Sequence, residues 1–339
     1  MSDTIPITSS SIATGLRGAN VLITGGLGFI GSNLARRLVS IGADVTVVDN
    51  LIPEYGGNMQ NVADIADRIR IDKTDVRDRA NLEPQVASAD YLFNLAGQTS
   101  HLDSMVDPHT DMEINAGAQL SILEACRHRN PGLRIVFAST RQLYGKPINL
   151  PVDEDHPINP VDVNGINKLS GELYHRLYSD VYGIHTVCLR MTNTYGPGMR
   201  VRDARQTFLG IWLKAALEDE PLLVYGDGAQ LRDFNYVDDV VDALLMTALS
   251  DACKGKVYNL GSAEVVSLKN LAAMVVEQAG SGSFEMIDFP AARKKIDIGD
   301  YYGDYSSLAA AVGWQPRVEL REGLQKTLDY YRRYSAEYW

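Results

Sequence analysis

The chain has 339 residues, 45% of them hydrophobic, and a formal net charge of −11. That length supplies a large core and allows one big domain or two unequal ones. The acidic balance argues against a nucleic-acid or acidic-membrane partner, so an anionic small ligand would need local basic residues.

Met1 to Leu16 is rich in Ser and Thr without the basic and apolar blocks of a signal peptide. It reads as an N-terminal arm, flexible or packing late, that ends before residue 19. The apolar run Val21-Leu22-Ile23-Thr24 then reads as a buried strand, and it leads into Gly25-Gly26-Leu27-Gly28-Phe29-Ile30-Gly31. Glycine at 25, 28 and 31 permits a tight turn, close approach of backbone to a pyrophosphate, and close packing of the following helix. That helix would offer its free N–H groups to phosphate. Ala43 to Asp49 reads as a second parallel strand, and Asp49 falls near the roughly 20-residue offset of an acid that grips an adenosine ribose. A carboxylate there repels a 2′-phosphate, which favours NAD over NADP.

Ile52 to Gln60 is polar, and a helix is expected from there through Ala66. Short strands follow at Arg68–Ile71 and Ala89–Gly97, the second ending in small residues where backbone would face a cofactor. A long helix is expected over Asp111–Arg129, a strand over Arg134–Thr140, a helix over Val163–Val181 and a strand over His185–Arg190. Strands alternating with helices imply an α/β, doubly wound parallel sheet over 19–195, with ligands at the carboxyl ends of its strands. From 196 to 339 the pattern loosens into a smaller C-terminal lobe, with a helix near Phe208–Glu218 and strands at Leu222–Tyr225 and Val257–Leu260. The segment 233–262 is expected to weave back into the main sheet.

Cys126, Cys188 and Cys253 are odd in number and set in apolar stretches, which reads as free thiols in a reducing compartment, the cytoplasm. No run approaches a membrane span, and the six histidines show no metal-ligand spacing.

Taken together, Thr24 to Gly31, Asp49-Asn50-Leu51, Asp75-Val76, Leu95-Ala96-Gly97-Gln98, Asn115, Ser139-Thr140 with Leu143-Tyr144-Gly145, Lys168, Asn193 before Tyr195-Gly196-Pro197, and Tyr225 to Gly228 with Arg232-Asp233 resemble the extended short-chain dehydrogenase/reductase family. The resemblance is to its NAD-dependent nucleotide-sugar epimerases and dehydratases and covers nearly the whole chain. It implies a Rossmann-type fold and an NAD held by Gly25, Gly28, Phe29, Ile30, Gly31, Asp49, Asn50, Asp75, Val76, Leu95, Ala96, Gly97, Gln98, Asn115 and Lys168. It also implies a nucleotide-diphosphate sugar, held by Arg141, Gln142, Asn193, Tyr225, Arg232 and Arg293, the last beside Lys294 where a second arginine is expected. The chemistry implied is epimerisation through a transient keto-sugar.

The family's base is a tyrosine four residues before the lysine, sharing its proton with a Ser or Thr. Here Lys168 and Thr140 are in place, but the tyrosine position is Asn164, which has no titratable proton. Another base, among Tyr144, Tyr195, His101 and Asp103, would then be needed. The alternatives are a protein that binds NAD and nucleotide sugar without turnover, an altered variant that traps a complex, or a decarboxylase or reductase. The Asp-Glu pair that dehydratases place after the Thr is Arg141-Gln142, which disfavours dehydration; Arg141 could fork onto a sugar carboxylate or merely brace a loop. The resemblance further implies a homodimer through the two long helices, with Leu120, Leu123, Leu173 and Leu177 at helical spacing.

Overall fold

The computed structural model describes residues 7–203 and 207–339. In chain order its strands are β1 (Asn20–Thr24), β2 (Asp44–Val48), β3 (Arg70–Asp72), β4 (Tyr91–Asn94), β5 (Arg134–Thr140), β6 (His185–Met191), β7 (Asn193–Tyr195), β8 (Pro221–Tyr225), β9 (Leu231–Tyr236), β10 (Val257–Asn259), β11 (Val265–Ser267) and β12 (Ser283–Ile287). The helices that build the site and its supports are α1 (Ser9–Leu16), α2 (Phe29–Ile41), α3 (Arg79–Ser88), α4 (His101–Val106), α5 (Pro108–Met112), α6 (Ala118–Arg129), α7 (Val163–Tyr182), α8 (Phe208–Leu217) and α9 (Val237–Leu249).

Seven strands form one sheet in the order β10-β6-β5-β4-β1-β2-β3. Every pairing in it is parallel. Its central strands carry the near-continuous apolar runs of a sheet covered on both faces, with Val21, Leu22, Ile23, Leu92, Phe93, Ile135 and Val136 all buried. Chain order reverses between β1 and β4, so the crevice at their carboxyl ends is the topological switch point where such sheets bind ligands. This is the doubly wound Rossmann architecture.

The smaller lobe has its own core around Trp212, Leu222, Phe234, Leu271 and Leu324. Yet the chain returns from it twice. Strand β10 is the edge of the main sheet, while α9 and later Leu308, Val312 and Trp314 pack into the main core.

The structure differs from the sequence reading in several places. The described part of the expected arm is a helix, α1, capped by Thr8 and with Ile12 and Leu16 buried; residues 1–6 lie outside the described residues. The helix expected before Ala66 is replaced by two short 3-10 turns, Met59–Val62 and Ala66–Arg68. Over Asp111–Arg129 the path is helical, but Glu113–Gly117 is a turn of π-helix, a feature that often marks a functional site. The lobe strands β7, β9, β11 and β12 were not among the expected elements. Three are short or half-exposed and show no run long enough to read by period.

Candidate active site

The turn from β1 to α2 depends on two glycines. Gly25 has φ of +71°, and a Cβ there would lie 2.9 Å from the Ala96 backbone; one on Gly31 would meet the Gly25 carbonyl at 2.3 Å. Gly28 is the N-cap of α2 and supplies no capping side chain, so the helix start is left open for an anion. The cavity above it is lined by Gly25, Gly28, Phe29, Ile30, Gly31, Asp49, Asn50, Asp75, Val76, Leu95, Ala96, Gly97 and Lys168. Asp49 accepts the backbone N–H groups of Leu27 (3.0 Å) and Leu51 (2.9 Å), so it braces both loops as well as facing the cavity. Burial raises its pKa, and those N–H groups oppose the shift. Asn50 donates to Asp75 at 2.6 Å, joining the ends of β2 and the loop after β3.

Gln98 and Asn115, expected on the cofactor, stand behind the wall. Asn115, in the π turn, donates to the Gln98 carbonyl at 2.9 Å, and its own Oδ1 is buried without a partner among the described residues. Gly97 leaves room beside them: a Cβ there would meet Lys168 Nζ at 2.8 Å and displace it. Lys168 reaches the cavity from α7, donates to the Ala138 carbonyl (3.2 Å) and lies over the Phe137 ring. Burial pulls its pKa down to about 8, with Asp111 opposing. An open helix start, an acid at the end of β2 and a cationic lysine on the neighbouring helix fit a dinucleotide.

Asn164 lines the cavity, but its amide is committed to the interior. Its Nδ2 donates to the Gln98 carbonyl at 2.8 Å and to Asp111 Oδ2 at 3.0 Å, and its backbone N–H donates to Ser104 Oγ at 3.2 Å. Asn167 adds a donor to Asp111 Oδ1 at 2.8 Å. The asparagine is therefore a brace between α4, α5 and α7. Thr140 lines the same cavity, and its Oγ1 accepts the Gln142 N–H at 3.2 Å.

Of the alternative bases, Tyr144 and Tyr195 are sealed in the core and line neither cavity. Tyr144 donates to Asn259 (2.7 Å) and accepts from Arg190 (2.6 Å), and burial pushes its pKa up to about 12. Tyr195 donates to the Leu320 carbonyl. Asp103 lines neither cavity. His101 alone of the four lines both: at the start of α4, it places Nδ1 2.9 Å from Oδ2 of Asp162, the N-cap of α7.

A second cavity opens in the lobe and shares His101, Arg141, Gln142, Asn193 and Thr207 with the first. Tyr225, Arg232 and Arg293 line it, with Arg293 over the Tyr225 ring at 5.8 Å and Phe289 5.4 Å from that ring. Lys294 is exposed and lines neither cavity. Arg232 is buried, bonded to the carbonyls of Leu231 and Gly299, with Asp297 3.9 Å away; burial, reinforced by Arg141, lowers its pKa to about 10. Arg141 donates to Asn193 Oδ1 at 3.0 Å and lies over the Tyr301 ring, while its Nη1 has no partner among the described residues. Gln142 donates to Asp162 Oδ2 at 2.9 Å. The sequence reading missed Asp162, Thr207, Gln230 and Phe289, none of which belongs to a local motif.

Comparison with known proteins defines the class. Residues 21–261 match the model of the NAD dependent epimerase/dehydratase family. The chain belongs to that family, and its cofactor is NAD; the family's enzymes act on nucleotide sugars. It is 33% identical over 313 residues to a putative UDP-glucose 4-epimerase of Methanocaldococcus jannaschii, covering 91% of this chain and 97% of that protein. It is 32% identical over 323 residues to UDP-glucuronic acid decarboxylase 1 of Xenopus tropicalis, covering 92% and 72%. Among solved structures, the Thermus thermophilus UDP-glucose 4-epimerase complex with NAD is similar at a TM-score of 0.83 and 31% identity, covering 92% and 99%.

Proposed function

We propose that the protein epimerises a nucleotide-diphosphate sugar by transient oxidation to a keto-sugar, with a proton-transfer residue other than the family's tyrosine. The observation that carries this reading is the continuity of the two cavities through Arg141, Gln142 and Asn193, with Lys168 on one side and Arg232 on the other. NAD, when bound, accepts a hydride from the sugar carbon and gives it back. Lys168, which lines the first cavity, would hold the cofactor's ribose and add positive charge beside the reacting oxygen. Arg232 and Arg293 take the diphosphate, and Tyr225 with Phe289 flanks the base. Thr140, which lines the first cavity, would hydrogen-bond the sugar hydroxyl. Arg141-Gln142 in place of an acid pair supports epimerisation over dehydration.

Arg141 has no carboxylate within 4.0 Å among the described residues, a charge balance that supports an acidic group on the sugar. Leu120, Leu173 and Leu177 face solvent with Ile166 and Val181, whereas Leu123 is core; that exposed stripe on α6 and α7 supports a homodimer through these helices. The three cysteines are free and buried, in keeping with a reducing cytoplasm. Among the described residues no helix is long and apolar enough to cross a membrane. The rival reading is a binding protein without turnover, favoured by the commitment of Asn164 to internal bonds.

The test is to assay purified protein for bound NAD, then to incubate it with a panel of nucleotide sugars in heavy water and follow product by NMR. Epimerised product without solvent deuterium on carbon, with transient NADH absorbance, supports the proposal. Deuterium on carbon points to carbanion chemistry, and an unchanged panel supports the binding protein.

A further inference from the structure

The base missing at position 164 leaves a gap in the proton balance of any oxidation at this site. We infer that His101, oriented by Asp162, is the proton acceptor for the sugar hydroxyl. The inference rests on the proposed oxidation of a nucleotide sugar.

Three observations converge. His101 is the one imidazole lining either cavity, and it lies at their junction, where a sugar attached to a diphosphate on Arg232 would have to meet the nicotinamide end near Lys168. Its side chain is 36% exposed, so a ligand can reach it, while the Asp162 side chain is fully enclosed. Asp162 Oδ2 lies 2.9 Å from His101 Nδ1 and also accepts from Gln142, and Oδ1 caps α7 through the Gly165 N–H at 2.7 Å. Burial raises the Asp162 pKa, but the His101 contact and these donors more than offset it, so the carboxylate stays ionised.

The carboxylate 2.9 Å away is out of line for a hydrogen bond with Nδ1, but its charge favours the proton on that nitrogen and leaves Nε2 as the acceptor. Asn164 has a part in this arrangement. Its N–H to Ser104 ties α4 to the start of α7, its amide ties Gln98 and Asp111 to the same helix, and His101 and Asn164 line the same cavity. In the forward step the sugar O–H proton passes to Nε2 and the O–H bonding pair becomes the second C–O bond. The carbon's hydride, with its two electrons, would go to the oxidised nicotinamide that bound NAD supplies. On return the imidazolium gives the proton back as C–H re-forms. His101 is thus a catalytic residue and Asp162 a positioning residue.

The experiment compares wild type, His101→Gln, His101→Gly and Asp162→Asn as full chains loaded with NAD. Asparagine retains the helix cap and loses the charge. Relative to wild type, His101→Gln is expected to lower kcat by about 10²–10⁴-fold with KM changed less than threefold, and added imidazole is expected to restore part of the His101→Gly loss. Independently of turnover, ¹⁵N NMR of the cofactor-free protein is expected to show His101 as the Nδ1–H tautomer in wild type and a tautomer mixture in Asp162→Asn. The inference is overturned if His101→Gln retains kcat within threefold, or if the tautomer is indifferent to Asp162→Asn. A wild type that turns over no sugar overturns the proposed function, whereas a wild type that turns over beside an unimpaired His101→Gln overturns this inference alone.

Discussion

Lys168→Met should make the cofactor-free protein more stable at neutral pH while disabling its site. Lys168 is 6% exposed and among the described residues donates only to the Ala138 carbonyl, so its charge is held in the fold at a cost. Its pKa falls from 10.5 to about 8, which corresponds to about 3 kcal/mol of destabilisation by the charged form. Methionine keeps the length and apolar stem of the side chain, and loses a hydrogen bond worth about 1 kcal/mol. The net expectation is a variant about 2 kcal/mol more stable at pH 7. Because the native pKa is depressed, the unfolded chain binds more protons than the native one between about pH 8 and 10.5. Wild-type stability therefore gains from this group as pH rises through that window, and the advantage of the variant shrinks. Urea unfolding of both proteins, stripped of NAD, at pH 7 and 9.5 measures the gap at each pH. A variant that is less stable at pH 7, or a gap that does not change with pH, would refute the reasoning.

Three further outcomes are expected. Asn164→Tyr removes the donors to Gln98 and Asp111 and leaves those buried acceptors each one partner short, so urea unfolding should show a loss of about 2–3 kcal/mol rather than a simple gain of activity. Arg141→Gln should reduce affinity for nucleotide-linked glucuronate about 10–100-fold while changing that for the neutral glucose counterpart little, as read by calorimetric titration; equal affinities in wild type would remove the acidic-sugar reading. Leu173→Glu combined with Leu177→Glu should convert a dimer to a monomer in light scattering, and a wild type already monomeric would count against the helix interface.

The cofactor half was legible because its constraints are local. Buried parallel strands are continuous apolar runs, and the need for glycine at 25 and 31 arises within one turn. Arg141, Asn193 and Arg232 were readable from short motifs and do line the second cavity. What escaped depends on contacts between distant segments. His101 was among the candidate bases, but its partner Asp162 was not, because the two are brought together only by the seating of α4 on α7. Periodicity alone could not tell Leu123, which faces the sheet, from Leu120, which faces solvent, because the same helical spacing serves either face. Tyr144 was a candidate base although a tyrosine in a Tyr-Gly pair is ordinarily a packing residue, and packed it is: its phenol is buried on the Arg190–Glu172 ion pair.

The return of β10 and α9 to the main sheet bears on how this molecule can be recombined. A cut after Tyr195 would remove the strand that pairs with β6 and the helix that covers it, so the cofactor half is not a module that can be shuffled alone. A chimera that exchanged only the sugar-binding lobe would need junctions on both sides of the stretch from α9 to β10, and again around the segment that brings Leu308 and Trp314 home. Changes of substrate in such a chain are therefore far easier to reach by point substitutions in the cavity walls than by exchange of whole segments.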